Sequence, residues 1–323
     1  MNASTIIDVS DLRKTYRGGW LRRRPIHALR GLTLTVRPGE IFGLLGPNGA
    51  GKTTFIKILL GIARKTSGDA TLLGHRVGVR ASRREIGYLP ENLRIPRYHT
   101  ARSALNFYGQ LSGLSAREIC LRGNQLLELV GLIERARDNI SQYSKGMLQR
   151  LGLAQALLHQ PRLIILDEPT DGLDPVGRAQ VRTLLQRLKD DGHTVFLNSH
   201  ILQEVELVCD RVAILDHGEL RFVGEVDTLR EQLSGDCEQD FELTVEVRGE
   251  KSQVESAMSA WSILSWQPTS PGQYEVVLRF QDQHRVDQFV DRLRAAEISI
   301  LNLQRQRLTL EDAFLKLLAS KKD

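Results

Sequence analysis

Glu40-Ile41-Phe42-Gly43-Leu44-Leu45-Gly46-Pro47-Asn48-Gly49-Ala50-Gly51-Lys52-Thr53-Thr54 is the stretch that decides the fold. Ile41 to Leu45 is short, apolar and continuous, the pattern of a strand covered on both faces. It runs into a turn rich in Gly, Pro and Asn, and a helix-like stretch follows over 52–60. Gly46 to Thr53 satisfies the phosphate-loop pattern in full, within the strand–turn–helix context the pattern requires. Glycines permit the tight turn and let backbone N–H groups face phosphate oxygens, while the helix N-terminus adds partial positive charge. Lys52 is placed to reach the β- and γ-phosphates, the Thr53 hydroxyl to ligate Mg²⁺, and Thr54 continues the same first turn.

Such a loop needs a carboxylate edge beside it, and Leu163-Ile164-Ile165-Leu166-Asp167-Glu168-Pro169 supplies one. A strand buried on both faces holds its terminal acids rigidly at the carboxyl edge of a sheet, where α/β proteins bind ligands. Asp167 is placed to hold the Mg²⁺ shell, directly or through water, and Glu168 to act as general base toward a water.

Outward from these segments the chain reads as α/β. Thr194-Val195-Phe196-Leu197 and Arg211-Val212-Ala213-Ile214-Leu215 are further apolar runs with helical stretches between them, which predicts a buried, mostly parallel sheet. The first part is β-rich, with runs at 6–9 and 27–36. A helical pattern over about 92–159 predicts a helical subdomain inserted into the core of a first domain, 1–228. Residues 229–240 turn polar, as a linker would. From 241 to 323 the order β-α-β-β-α-β predicts a small ferredoxin-like α+β domain, with a turn at Pro268, Pro271 and Gly272 and a last helix over 310–318.

Composition narrows the field. The chain has 323 residues, 41% hydrophobic and 26% charged, ordinary for a globular protein. No run approaches the roughly 18 apolar residues of a membrane-crossing helix, and the first residues lack the features of a signal peptide. Membrane work is therefore expected of a separate chain. Three scattered cysteines suggest neither a metal cluster nor a disulfide framework. The net charge of +5 is a weak pointer to nucleic acid or lipid. The basic run Trp20-Leu21-Arg22-Arg23-Arg24-Pro25 reads as a solvated hairpin loop.

Together these motifs resemble the ATP-binding subunits of ABC transporters, over about residues 5–225. Tyr143-Ser144-Lys145-Gly146-Met147-Leu148-Gln149-Arg150 is similar to the family signature, although Lys145 and Met147 replace the commoner glycine and glutamine. The resemblance implies that Ser144, Lys145, Gly146 and Met147 meet the γ-phosphate of ATP held by the opposite subunit. Thr170-Asp171-Gly172-Leu173-Asp174-Pro175 resembles the segment through which two nucleotide domains communicate; Asp171 stands where serine is more usual, and Asp174 is carried over as a binding residue. His200, in Asn198-Ser199-His200, resembles the switch histidine at the γ-phosphate, and Tyr16 stands where the family stacks an aromatic on adenine. In Ile86-Gly87-Tyr88-Leu89-Pro90-Glu91, Glu91 occupies the place of a glutamine that contacts Mg²⁺ and the membrane partner.

The resemblance implies a phosphate-loop NTPase with a RecA-like sheet, using ATP and Mg²⁺. It implies a second nucleotide-binding subunit, most simply a copy of the same chain, and a transmembrane permease subunit holding the chain at the cytoplasmic face of the membrane. The C-terminal unit ending in Leu310-Glu311-Asp312-Ala313-Phe314-Leu315-Lys316 is similar to that of ATPases serving ABC-2 type exporters. A soluble relative acting on ribosomes or nucleic acid is the alternative. A single phosphate loop and the absence of a heptad run speak against it, so no nucleic acid is expected.

Overall fold

The computed structural model describes residues 5–17, 25–229 and 241–306, and the chain divides into two compact units, Met1–Val226 and Asp227–Asp323. The last predicted helix, most of the basic run and all but the first residue of the expected linker lie outside the described residues. Leu229, that first residue, is helical and fully buried.

The first unit opens with β1 (Ile7–Tyr16), β2 (Ile26–Val36), β3 (Ile41–Leu45), helix α1 (Lys52–Leu59), β4 (Ser67–Leu72) and β5 (His75–Arg76). Strands β2-β1-β4-β5 form one antiparallel sheet. Here the structure departs from the sequence reading in extent: β1 runs ten residues to Tyr16, and β4 and β5 are additional. Ser67-Gly68-Asp69-Ala70 has little β propensity, and the strand exists because β1 pairs with it.

A short helix α2 (Arg80–Arg83) and β6 (Ile86–Leu89) precede the helical segment α3 (Ala101–Leu111), α4 (Ala116–Leu129) and α5 (Lys145–Leu157). Each of these three has a side-chain cap. Thr100 and Ser103 form a capping box on α3, Ser115 and Glu118 another on α4, and the Ser144 hydroxyl accepts from Met147 N–H on α5. Then follow β7 (Leu163–Asp167), α6 (Pro175–Asp190), β8 (Thr194–Asn198), α7 (Leu202–Val208), β9 (Arg211–Asp216) and β10 (Glu219–Glu225).

The second sheet of this unit has six strands in the order β10-β9-β3-β8-β7-β6, and all but the β9–β10 pair are parallel. Strands β3, β7 and β8 are buried at every position, as their continuous apolar runs predict. Phe42 and Phe196 stack with ring centroids 5.8 Å apart, and Phe55 of α1 meets Phe196 at 5.9 Å. This packing fixes the helix that follows the phosphate loop against the sheet that precedes it.

The second unit is β11 (Phe241–Arg248), α8 (Lys251–Met258), β12 (Ser262–Ser270), β13 (Gln273–Phe280), α9 (Gln283–Ala295) and β14 (Ser299–Gln306). Its antiparallel sheet, ordered β12-β13-β11-β14, is the ferredoxin-like arrangement. Pro268 lies within β12 rather than in the turn. It is accommodated because β12 is an edge strand with a register shift between Pro268 and Ser270. The reversal itself is at Pro271-Gly272.

Candidate functional site

Strands β3, β8 and β7 are neighbours, with Leu44 in register with Asn198, and Asn198 with Asp167. The segments leaving their carboxyl ends therefore emerge along one edge: the phosphate loop after β3, Glu168 to Asp174 after β7, and Ser199-His200 after β8.

In the phosphate loop, Gly51 precedes α1 at φ 107°, and a Cβ there would stand 2.5 Å from the Ala28 carbonyl oxygen. The backbone thus passes close to β2 just before α1, whose first N–H groups have no partner within the helix. Lys52, only 7% exposed, donates from Nζ to the Gly46 carbonyl and, at 3.2 Å, to that of Pro47. Burial holds its ammonium below the usual lysine range, against the opposing pull of Glu168, Asp167 and Glu91. Three carboxylates from two segments, Asp167-Glu168 after β7 and Glu91 after β6, thus act on one cation.

Asp167 accepts from Asn198 Nδ2 at 2.5 Å. Burial raises its carboxyl above the ordinary range, with the Asn198 hydrogen bond opposing and the Glu91 charge adding to the rise. Tyr88 is pushed up to about 12, first by burial and then by Asp167 and Glu91. Glu91 itself is exposed. Asn198 Oδ1 and Thr170 Oγ1 are buried without a hydrogen-bond partner, so this edge carries unsatisfied polar atoms.

Glu168 has φ 54°, in the left-handed region that non-glycine residues occupy at a cost of ~1–3 kcal/mol. Its backbone is fastened on several sides. Glu168 N–H donates to the Asn198 carbonyl at 2.9 Å, and its own carbonyl accepts from Gln149 Nε2 at 3.1 Å and Asp171 N–H at 3.2 Å. The carboxylate Oε2 lies 2.8 Å from His200 Nδ1 and 3.3 Å from His200 N. Glu168 is buried and His200 more than half exposed, so the pair reaches from the core to the surface.

Tyr16 shares a cleft of about 600 Å³ with Ile26, Ala28, Arg30, His217 and the loop from Pro47 to Thr54. The Lys14 ammonium sits 4.5 Å from the centre of the Tyr16 ring. Ser144 to Met147 and Asp174 do not line this cleft. Ser144 caps α5, and Asp174 caps α6 by accepting from Gly177 N–H at 2.8 Å. Lys145 Nζ lies 2.7 Å from Asp171 Oδ2, and that hydrogen bond chiefly holds the Asp171 carboxyl below the usual range.

Sequence reasoning passed over Asn198, Gln149 and the lysine–aspartate pair. Asn198 carried a signal, a polar residue closing a fully apolar strand. The others depend on contacts 19 and 26 residues apart in the chain.

Among the described residues no three His, Cys, Asp or Glu side chains converge to cage a metal ion. No helix among them is long and apolar enough to cross a membrane.

Comparison with known proteins gives the family. Residues 29–171 match the family described as ABC transporter. An uncharacterized ABC transporter ATP-binding protein of Synechocystis sp. is 39% identical over 317 residues, covering 97% of this chain and 84% of the relative. The Nod factor export ATP-binding protein I of Rhizobium sp. is 40% identical over 209 residues, 64% of this chain and 69% of that one. Among solved structures, an ATP-binding cassette captured as a dimer in a post-hydrolysis state with ADP and Pi superposes with a TM-score of 0.62 at 25% identity. The match covers 68% of this chain and 98% of that one. A chain with this sheet edge, and a relative this similar over nearly its full length, belongs to the ABC transporter family of ATP-binding proteins.

Proposed function

We propose that this chain is the ATP-hydrolysing subunit of an ABC transporter, working on a separate membrane-spanning chain, and that two nucleotide-binding subunits share each ATP. The observation that carries the reading is the meeting of Lys52, Asp167 and the Glu168–His200 pair at one sheet edge.

The Lys52 ammonium, held by carbonyls of its own loop, can exchange them for phosphate oxygens, together with the N–H groups at the start of α1. Glu168 accepts a proton from the attacking water, and its strained, fastened backbone fixes the carboxylate in the position this requires. His200 orients that carboxylate and, with Lys52, stabilises charge on the γ-phosphate. Tyr16 offers a ring edge or face to the base. The donor set fits Mg²⁺: a threonine hydroxyl, Thr53, and a buried carboxylate whose proton affinity a dication would lower, Asp167, with Glu91 in reach. When bound, Mg²⁺ supplies charge neutralisation on the phosphate oxygens.

Ser144, Lys145, Gly146 and Met147, at the start of α5, would receive the γ-phosphate of a nucleotide held by a second chain. The dimeric relative bound to ADP and Pi supports this division of labour. Export rather than uptake is favoured by the ferredoxin-like C-terminal unit and by the relative concerned with Nod factor export. The chain then works at the cytoplasmic face of the membrane, held by its permease, with no nucleic acid partner.

Purified protein is expected to turn over ATP only with Mg²⁺, and a tagged chain to bring down a polytopic membrane protein. Turnover unchanged in excess EDTA, or recovery with ribosomes alone, contradicts the reading.

A further inference from the structure

Lys145, at the start of α5, and Asp171, in the loop after β7, touch each other. Their side chains meet at 2.7 Å across 26 residues of sequence. The contact is built into the backbone. Gly172 follows at φ 72°, where a Cβ would stand 2.5 Å from Lys145 Cδ, so the lysine stem lies along a residue that leaves room for it. The same two segments interlock twice more. Gln149 Nε2 holds the Glu168 carbonyl at 3.1 Å, and at Gly146 a Cβ would come within 2.9 Å of Leu173 Cδ2.

Stability does not account for this pair. The side chains are 62% and 43% exposed, and ion pairs in that much water add little. Electrostatics does. A cation at the first position of a helix opposes the helix dipole, and a carboxylate beside that terminus repels any anion brought to it. The cation alone opposes the dipole, the carboxylate alone repels an incoming phosphate, and together they are neutral.

We infer that Lys145 and Asp171 are a positioning pair for the two-chain reaction. Lys145 neutralises Asp171 beside the turn that takes the second chain's γ-phosphate, and the pair ties that turn to the loop carrying Glu168. The inference rests on the two-chain reading proposed above. Its consequence is asymmetric. Without Lys145, an unpaired carboxylate faces the incoming phosphate. Without Asp171, the remaining cation attracts the phosphate but the loop is less firmly tied. Without either charge, neutrality returns.

The test uses the full chain with Lys145→Ala, Asp171→Asn and the two combined. It reads kcat and KM for ATP, and ATP-driven dimerisation of the same variants made in Glu168→Gln protein. Lys145→Ala should lower kcat about 10-fold and weaken the dimer, with KM moving less than about 2-fold because each chain's own phosphate loop is intact. Asp171→Asn should cost about 3-fold or less in kcat, and the combined variant should return to within about 3-fold of the parent, the non-additivity of coupled neighbours. Thermal unfolding should be alike in all of them, which a merely structural brace would not give. A Lys145→Ala chain as active as the parent, or a combined variant as impaired as Lys145→Ala, overturns the pair and leaves the two-chain reading standing. If Glu168→Gln protein with both native residues stays monomeric with ATP, the two-chain reading fails and takes the pair with it.

Discussion

Lys52, Asp167, Glu168, Asn198 and Ser199 are each buried at one edge of the parallel sheet, whereas every buried residue described in the C-terminal unit beyond Asp240 is apolar. That unit packs Val245, Leu278, Phe280 and Phe289 between sheet and helices, with Phe280 and Phe289 at 5.3 Å and Trp261 against Phe289 at 5.2 Å. The first unit has an equally apolar core around Phe42, Phe55 and Phe196, yet at this edge it also buries charge and leaves Asn198 Oδ1 and Thr170 Oγ1 unpaired. Burying polar groups works against folding unless they are paired or otherwise used. The difference teaches where to look: the edge of the parallel sheet is where we place the chemistry, and the C-terminal sheet as described is held by packing.

The comparison can be broken by mutation. Phe289→Ala should destabilise the C-terminal unit by about 3–5 kcal/mol, as loss of a fully buried aromatic does. Chemical denaturation followed by tryptophan fluorescence would show it. Turnover per molecule, under conditions where the first unit stays folded, should change by less than about 2-fold, since no residue of that core is among those bearing chemistry. A collapse of turnover would mean that the C-terminal unit takes part.

Asp167→Asn should do the reverse. Turnover should fall by about 100-fold, the scale of a lost charge-stabilising contact in the transition state. The folded protein without nucleotide should melt at a higher temperature than the parent. The sign follows from linkage. Asp167 is raised in the folded state, so its carboxyl favours folding below its unfolded value and that contribution is lost as pH rises through the folded value. At neutral pH the charged form is the destabilising one, and asparagine removes it. Calorimetry across a pH series should find the gain growing as pH rises through the folded value.

His200→Ala should lower kcat by about 10-fold or more, since Glu168 loses its nearest side-chain partner. Tyr16→Ala is the smallest change. Removal of one half-exposed ring should raise KM for ATP by about 3- to 10-fold and leave kcat nearly unchanged, the worth of a single stacking contact.

The sheet edge was legible in the sequence where burial leaves a composition signal. Ile41 to Leu45, Leu163 to Leu166 and Val195 to Leu197 are continuous apolar runs because both faces are covered, and the phosphate loop is legible because its turn admits few residue types. Strand β4 was not, because Gly68 and Asp69 are poor strand formers recruited by pairing with β1. Pro268 looked like a turn because its tolerance at a bulged edge depends on the neighbouring strand, which no local pattern reports. Within the site, Lys52, Asp167 and Glu168 could be named from motifs. The left-handed backbone of Glu168, the Asn198 bond to Asp167 and the Lys145–Asp171 pair are products of long-range contact.

Glu168→Gln is the most direct test of the central claim that the charge gathered at this edge serves ATP hydrolysis. The substitution keeps the size of the side chain and removes its capacity to take a proton. ATP turnover should fall by at least ~100-fold, the contribution of a positioned general base, while ATP binding to the purified protein persists. Turnover within about 2-fold of the parent would contradict the account, because the strain and fastening of Glu168 would then serve something other than the attacking water.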